Sequence, residues 1–276
     1  MKKLKHILYY FILILWSVFI LAIIGWIFYS SFKTNLEIYQ KPWALPSKIT
    51  LQNYISAWTK SKMQLYFINS LIVVFLSIGL TILASSMAAY VLTRFKYRFN
   101  NLILSVIVFG MSVPSQLILI PLYTQLSSLG MVSTRIGLIA VYVTLWIPFS
   151  IYVLTGFFKT IPQEMEESAI IDGCGEYTIF WRIMFPLVQP GLIAVAVFNF
   201  VSMWNEYLLA LVYTSSNQKL RTISLGMYAL KDSMMYSSNW GGLFAAVIIM
   251  MIPSVIVYIT LQKYVIAGLT LGAVKG

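Results

Sequence analysis

The sequence predicts an all-α membrane protein of six transmembrane helices, with a cytosolic helix-turn-helix between spans 4 and 5. Three observations carry that prediction. The 276-residue chain is 60% hydrophobic and only 10% charged, with a mean hydropathy of +0.84, whereas soluble domains are roughly 45–50% apolar. Six stretches reach the roughly 20 apolar residues that cross a hydrocarbon core of about 30 Å; they run over about 7–29, 68–92, 102–122, 135–158, 190–213 and 243–262. Five of the eight acidic residues fall between Glu164 and Glu176, which marks one water-facing segment in an otherwise oily and basic chain. The whole of 1–276 reads as a single membrane domain, with residues 159–189 as its loop.

The first span follows Lys2, Lys3 and Lys5. Its 23 apolar residues exceed the roughly 7–15 of a secretory signal core, and no A-x-A cleavage site follows, so it is read as a retained helix. Residues 30–67 form the longest external segment, with Pro42 and Pro46 marking turn or extended backbone and Leu51–Thr59 a short surface helix. In the second span Ser77, Thr81, Ser85 and Ala89 recur every four residues. Small residues at that spacing let another helix approach closely, and a gate is the alternative role. The third span is interrupted at Pro114 and Pro121, as where a helix bends around a cavity. The fourth carries Tyr142, Trp146 and Phe149 at i, i+4, i+7 beside Pro148, an aromatic stripe suited to packing or to stacking on a sugar face.

The fifth span holds an acid at membrane depth. At 100° per residue, Asn199, Ser202 and Glu206 lie within an arc of about 60°, and an ionisable residue in a span faces protein or water. Glu206 sits about 24 Å along the helix from its inner end at Pro190, toward the outer face. Met203 adjoins this stripe. An interhelical hydrogen-bond clamp is the alternative to a place on a solute path.

Between spans 4 and 5 every local signal reads helix, turn, helix. Thr160 and Gln163 have capping-box spacing, Pro162 suits a first turn, and Glu164, Glu166 and Glu167 complement the positive end of a helix dipole. Asp172-Gly173 then breaks the helix, because glycine reaches positive φ without steric cost. The chain resumes over Tyr177–Phe185 and halts at Pro186. Lysines before span 1 and Arg94, Lys96 and Arg98 in a short connection favour that side, both termini and the acidic segment being cytoplasmic, against Lys33, Lys41, Lys48, Lys60 and Lys62 in the first external loop.

Composition also excludes classes. The net charge of +11 suits an anionic membrane surface, and the apolar bulk leaves no groove for nucleic acid. The single cysteine, Cys174, excludes an internal disulfide and has no His or Cys neighbour for a metal. A secondary transporter stays as a distant alternative, since it calls for more intramembrane ionisable residues and has no use for the acidic segment. An enzyme needs a catalytic constellation, which the spans lack. There is no G-x-x-x-x-G-K-[ST] loop, and the only histidine, His6, lies near the amino terminus, so the chain does not hydrolyse ATP itself.

Glu167-Ser168-Ala169, Gly173, Ile183 and Phe185-Pro186 resemble, at the correct spacing, the loop motif of the permeases of binding-protein-dependent ABC importers: Glu-Ala-Ala, three residues, Gly, nine residues, Ile, one residue, Leu-Pro. Ser168 and Phe185 are departures. Further strings resemble the carbohydrate branch, the maltose-type six-span inner-membrane subunit: Asn53-Tyr54, Asn69-Ser70, Pro121-Leu122-Tyr123, Trp204-Asn205-Glu206-Tyr207-Leu208-Leu209-Ala210-Leu211 and the tail Gly268–Gly276. The resemblance implies a subunit of an ATP-driven importer in the bacterial cytoplasmic membrane that moves a sugar or oligosaccharide by alternating access; a polyol, glycerol phosphate or uronate oligosaccharide is the alternative cargo. It implies a heterodimer with a second homologous permease, two cytosolic ATPase subunits that bind the ATP and magnesium, an external solute-binding protein and surrounding lipid. It assigns ATPase coupling to Glu167, Ser168, Ala169, Asp172, Gly173, Ile183 and Pro186. On that reading Tyr142, Trp146, Asn199, Ser202, Met203 and Glu206 line the substrate pathway.

Overall fold

In hydrocarbon no water satisfies a backbone N–H or C=O, so apolar runs that cross it must close their hydrogen bonds internally as helices. The structure, a computed structural model, describes residues 2–214 and 216–273, with side chains at 6–214, 216–233 and 238–264. The described residues contain helices and no strand. Val274, Lys275 and Gly276, at the end of the tail string, lie outside them. Among the described residues four helices are long and apolar enough to cross a membrane: His6–Ser30 within α1 (Lys2–Ser30), α4 (Met63–Arg94), α7 (Arg135–Thr160), and Trp240–Tyr264 within α14 (Trp240–Ala273). The bent pair Glu176–Leu187 and Gln189–Asn205, meeting at 70°, makes five if read as one span.

Two predicted spans are therefore not single rods. The third divides into α5 (Asn100–Met111) and α6 (Leu119–Ser128). Pro114 falls in the break, while Pro121 sits in the first turn of α6, where its missing N–H has no partner to lose. The fifth divides into α11 (Gln189–Asn205) and α12 (Leu208–Thr214), separated by an extended Glu206 (φ −70°, ψ 126°). No proline or glycine marks that second break; a side chain makes it.

The chain packs as two units. One comprises the residues up to 65 with 226–252. Here α2 (Asn35–Gln40) starts with a capping box in which Thr34 accepts the Glu37 N–H and Glu37 accepts the Thr34 N–H. Glu37 also accepts hydrogen bonds from the Ser47 hydroxyl and N–H. Asn53, in α3 (Gln52–Ile55), donates to the carbonyls of Ser31 and Lys33, both at 2.8 Å. It also sits where a Cβ on Gly241 would lie 2.5 Å from its Nδ2, so only glycine lets the start of α14 come this near. From Ile7 to Leu21, α1 exposes its apolar side chains continuously.

The other unit comprises 66–225 with the residues from 253 onward. The stripe Ser77, Thr81, Ser85 and Ala89 is wholly buried, and Ser85 donates to the carbonyl of Ile147 on α7 at 3.4 Å. An aromatic core gathers Tyr90, Phe157, Phe158 and Phe180 around Ala169, Met184 and Val188. It sits under the acidic segment and fixes where that segment can go.

Candidate functional site

The acidic segment is built by local chemistry on one side and tertiary packing on the other. The capping box expected at Thr160 does not form: α7 runs through Thr160, whose hydroxyl turns back to the Phe157 carbonyl at 2.8 Å. Helix α8 (Glu164–Ile171) starts instead from Gln163. It ends with the Gly173 N–H donating to the Ile170 carbonyl at 3.0 Å and the Cys174 N–H to the Ala169 carbonyl at 2.9 Å. That pairing is the Schellman closure, which needs a left-handed residue; Gly173 supplies it at φ +80°. The chain resumes as α9 (Glu176–Ile179), a π-helical turn over Phe180–Met184, and α10 (Phe185–Leu187). Pro186 does not halt the helix, because in the first turn of α10 its missing N–H is tolerated. The direction changes two residues later, at Val188.

Ala169 is buried in the aromatic core and Ile183 is half-buried against it. Glu167, Ser168, Asp172, Gly173 and Pro186 are exposed. Beside them Ile171 is 85% and Tyr177 75% exposed. Large apolar side chains left exposed next to carboxylates give this face the mixed character of protein–protein interfaces.

Two residues given no coupling role by the sequence hold this segment in place. Arg94, the last residue of α4, places Nε 2.9 Å from Glu166 Oε1, with side chains only 6% and 15% exposed. The contact is an ion pair rather than an aligned hydrogen bond. The Arg94 Nη2 donates to the Ile161 carbonyl at 2.7 Å. Burial pushes the Glu166 carboxyl above its ordinary range, and the guanidinium works against that rise. The signal was present in the sequence: Glu166 lies three residues before Ala169, on the inward face of α8, whereas Glu164 and Glu167 point out.

The predicted pathway residues separate into buried and exposed sets. Tyr142 is fully buried and donates to Glu206 Oε2 at 2.9 Å. Its ring meets that of Trp146 edge-on at 5.5 Å. Glu206 Oε1 accepts the Leu209 N–H at 2.6 Å and Oε2 the Ala210 N–H at 3.1 Å, so its carboxylate caps α12 across the chain break. Asn199 is fully buried and donates to the Ser150 hydroxyl at 3.0 Å. Met203 is buried and Ser202 is exposed. Asn199 and Met203, four apart, thus share the inward face of α11, and Ser202 does not join it. Asn69 ties the neighbouring connection, donating to the carbonyls of Lys219 and Arg221 and accepting from Arg135 at 2.9 Å.

Residues 81–270, which hold both the acidic segment and the Tyr142–Glu206 contact, match the model of the family described as binding-protein-dependent transport system inner membrane component. The chain belongs to that family. This inner membrane component is 37% identical, over 96% of its length and 87% of the relative's, to a diacetylchitobiose uptake system permease of Streptomyces coelicolor. It is 33% identical to a melibiose/raffinose/stachyose import permease of Bacillus subtilis, over 90% of this chain and 91% of the other. In fold it resembles a chain of a bacterial ABC transporter involved in importing the acidic polysaccharide alginate, with a TM-score of 0.81, 21% identity, and coverage of 95% and 96% of the two chains.

Proposed function

We propose that this inner membrane component is one half of the transmembrane pore of an ATP-driven ABC importer for a sugar or oligosaccharide. The observation that carries the reading is the two-faced acidic segment: its inner face is seated in the aromatic core, and its outer face presents Glu167, Asp172, Ile171 and Tyr177 to water. That outer face suits docking on a cytosolic ATPase, which binds the ATP and magnesium. Closure of two such ATPases would then drive the spans between inward- and outward-facing states. The coupling residues are Glu167, Ser168, Ala169, Asp172, Gly173, Ile183 and Pro186. A saccharide cargo rests on the relatives, whose names include diacetylchitobiose, melibiose, raffinose and stachyose, and starch degradation products.

The reading keeps six passes, the third made of α5 and α6 and the fifth of α11 and α12, with both termini and the acidic segment in the cytoplasm of a bacterial cell. A second, homologous permease completes the pore, and an external binding protein delivers the cargo. In a half-pore the lining must be exposed on the isolated subunit. Ser202 and, in part, Trp146 and Glu206 meet that requirement; Tyr142, Asn199 and Met203 are buried and brace the lining from behind. The test is to purify the complex with its binding protein and measure which saccharides stimulate ATP hydrolysis and uptake. Stimulation by at least one saccharide, with ATPases and a second permease co-purifying, is the expected result. A chain that purifies without an ATPase overturns the reading.

A further inference from the structure

The acidic segment is joined covalently to α7 before it and to α11 after it, which makes those helices its obvious mechanical outlets. The side chains name a third. Helix α4 is distant in sequence, yet its last turns contact the segment at both ends. Tyr90 packs its ring 5.2 Å from Phe180, at the far end, and 5.7 Å from Phe158, before it. Arg94, one turn further along α4, meets Glu166 in α8 at 2.9 Å and holds the Ile161 carbonyl at 2.7 Å, just ahead of α8. Ala169, one turn after Glu166, is buried in the same core as Tyr90.

The two kinds of contact respond differently to a push. Rings can slide over one another at nearly constant area, because apolar burial is non-directional. A buried ion pair cannot slide, since separating it strands charge away from water. The Arg94–Glu166 pair therefore passes a displacement of α8 to α4 without slip.

We infer that Arg94 and Glu166 are positioning residues that yoke α8 to α4, so that the stroke delivered by the ATPase reaches the second span directly. This rests on the importer reading above. Without the yoke, α8 still docks and ATP is still hydrolysed, but α4 follows incompletely and less cargo moves for each ATP.

The test uses the assembled complex in proteoliposomes with its binding protein and a transported saccharide, and reads ATP hydrolysed per saccharide taken up. Glu166→Gln and Arg94→Gln each remove one charge while keeping a polar side chain. Each is expected to raise the ratio by about fivefold or more, the lower end of typical coupling between sites. The double variant is expected to match the singles rather than multiply them, because two residues that act through one contact are not additive. Wild-type ratios in both singles, or multiplied effects in the double, overturn the inference. If Arg94→Gln does not assemble with the ATPases, Glu166→Gln alone decides, by the same ratio. Absence of ATP-driven uptake by the wild-type complex is a different result, which sinks the importer reading itself.

Discussion

The acidic segment and the Glu206 break both interrupt helices, and they do so by opposite means. At Gly173 the interruption is written in the backbone: a residue without Cβ takes φ +80° and two neighbouring N–H groups close the helix end. At Glu206 the interruption is written in a side chain: a carboxylate reaches forward to the N–H groups of Leu209 and Ala210 while Tyr142, from α7, donates to the oxygen that Ala210 also shares. The first needs only its own few residues. The second needs a partner 64 positions away. The turn at Gly173 is thus locally specified, and the break at Glu206 is specified by its neighbours.

The sharpest way to break that comparison is Gly173→Val. A β-branched residue at positive φ costs about 1–3 kcal/mol locally, and no neighbour crowds the site. The loss should therefore fall on the docking turn and leave insertion intact. Saccharide uptake is expected to drop by at least about tenfold while ATP hydrolysis persists. Undiminished uptake removes the turn from the coupling path.

Second in size is a labelling contrast on α11. With Cys174 replaced by serine, a cysteine at position 202 is expected to react at least about tenfold faster with a polar maleimide than one at 203, and its rate should change with nucleotide state. Ser202 is exposed and Met203 buried, although they are adjacent. Equal rates at the two positions would show that α11 does not present one fixed face to the pathway.

This pair also measures what could be read from the residues alone. The long helices, the turn at Gly173 and the mixed polarity of Glu164–Glu176 follow from composition, spacing and backbone chemistry confined to neighbouring positions. The split of the third span was half visible, since Pro114 and Pro121 were plain but only Pro114 lies in the break. The split of the fifth was not visible, because a helical wheel assumes that the helix continues. Once Glu206 reaches forward to cap α12, the wheel that joined Asn199, Ser202 and Glu206 stops at Asn205. The Arg94–Glu166 contact spans 72 positions, and only the phase of Glu166 with Ala169 hinted at it.

Glu206→Ala tests the side-chain break directly. Losing an N-cap costs about 0.5–2 kcal/mol, and here it also frees the Tyr142 hydroxyl. We expect a lower unfolding temperature and faster amide exchange at Leu209 and Ala210, with Glu206→Gln intermediate because one acceptor oxygen remains. Unchanged exchange at those two amides would mean that α12 starts without its cap.

The smallest effect lies at Glu37, a cap of the local kind. Hydrogen bonds from the Ser47 hydroxyl, then from the Thr34 and Ser47 N–H groups, pull its carboxyl from an ordinary 4.5 down to about 2. A group whose folded value is depressed binds its proton more readily in the unfolded chain, so it adds stability above the ordinary value and loses it as pH falls toward about 2. Because the carboxylate lies within reach of solvent, water screens much of that gain, and the effect is confined to the 34–47 loop. Amide exchange at Glu37 and Ser47, measured in detergent from pH 5 down to pH 2 and corrected for intrinsic rates, should quicken in wild type and be flat in Glu37→Gln. A flat wild-type profile would mean that the capping box is not formed in solution. The local rule that accounts for Gly173 would then fail at this second position.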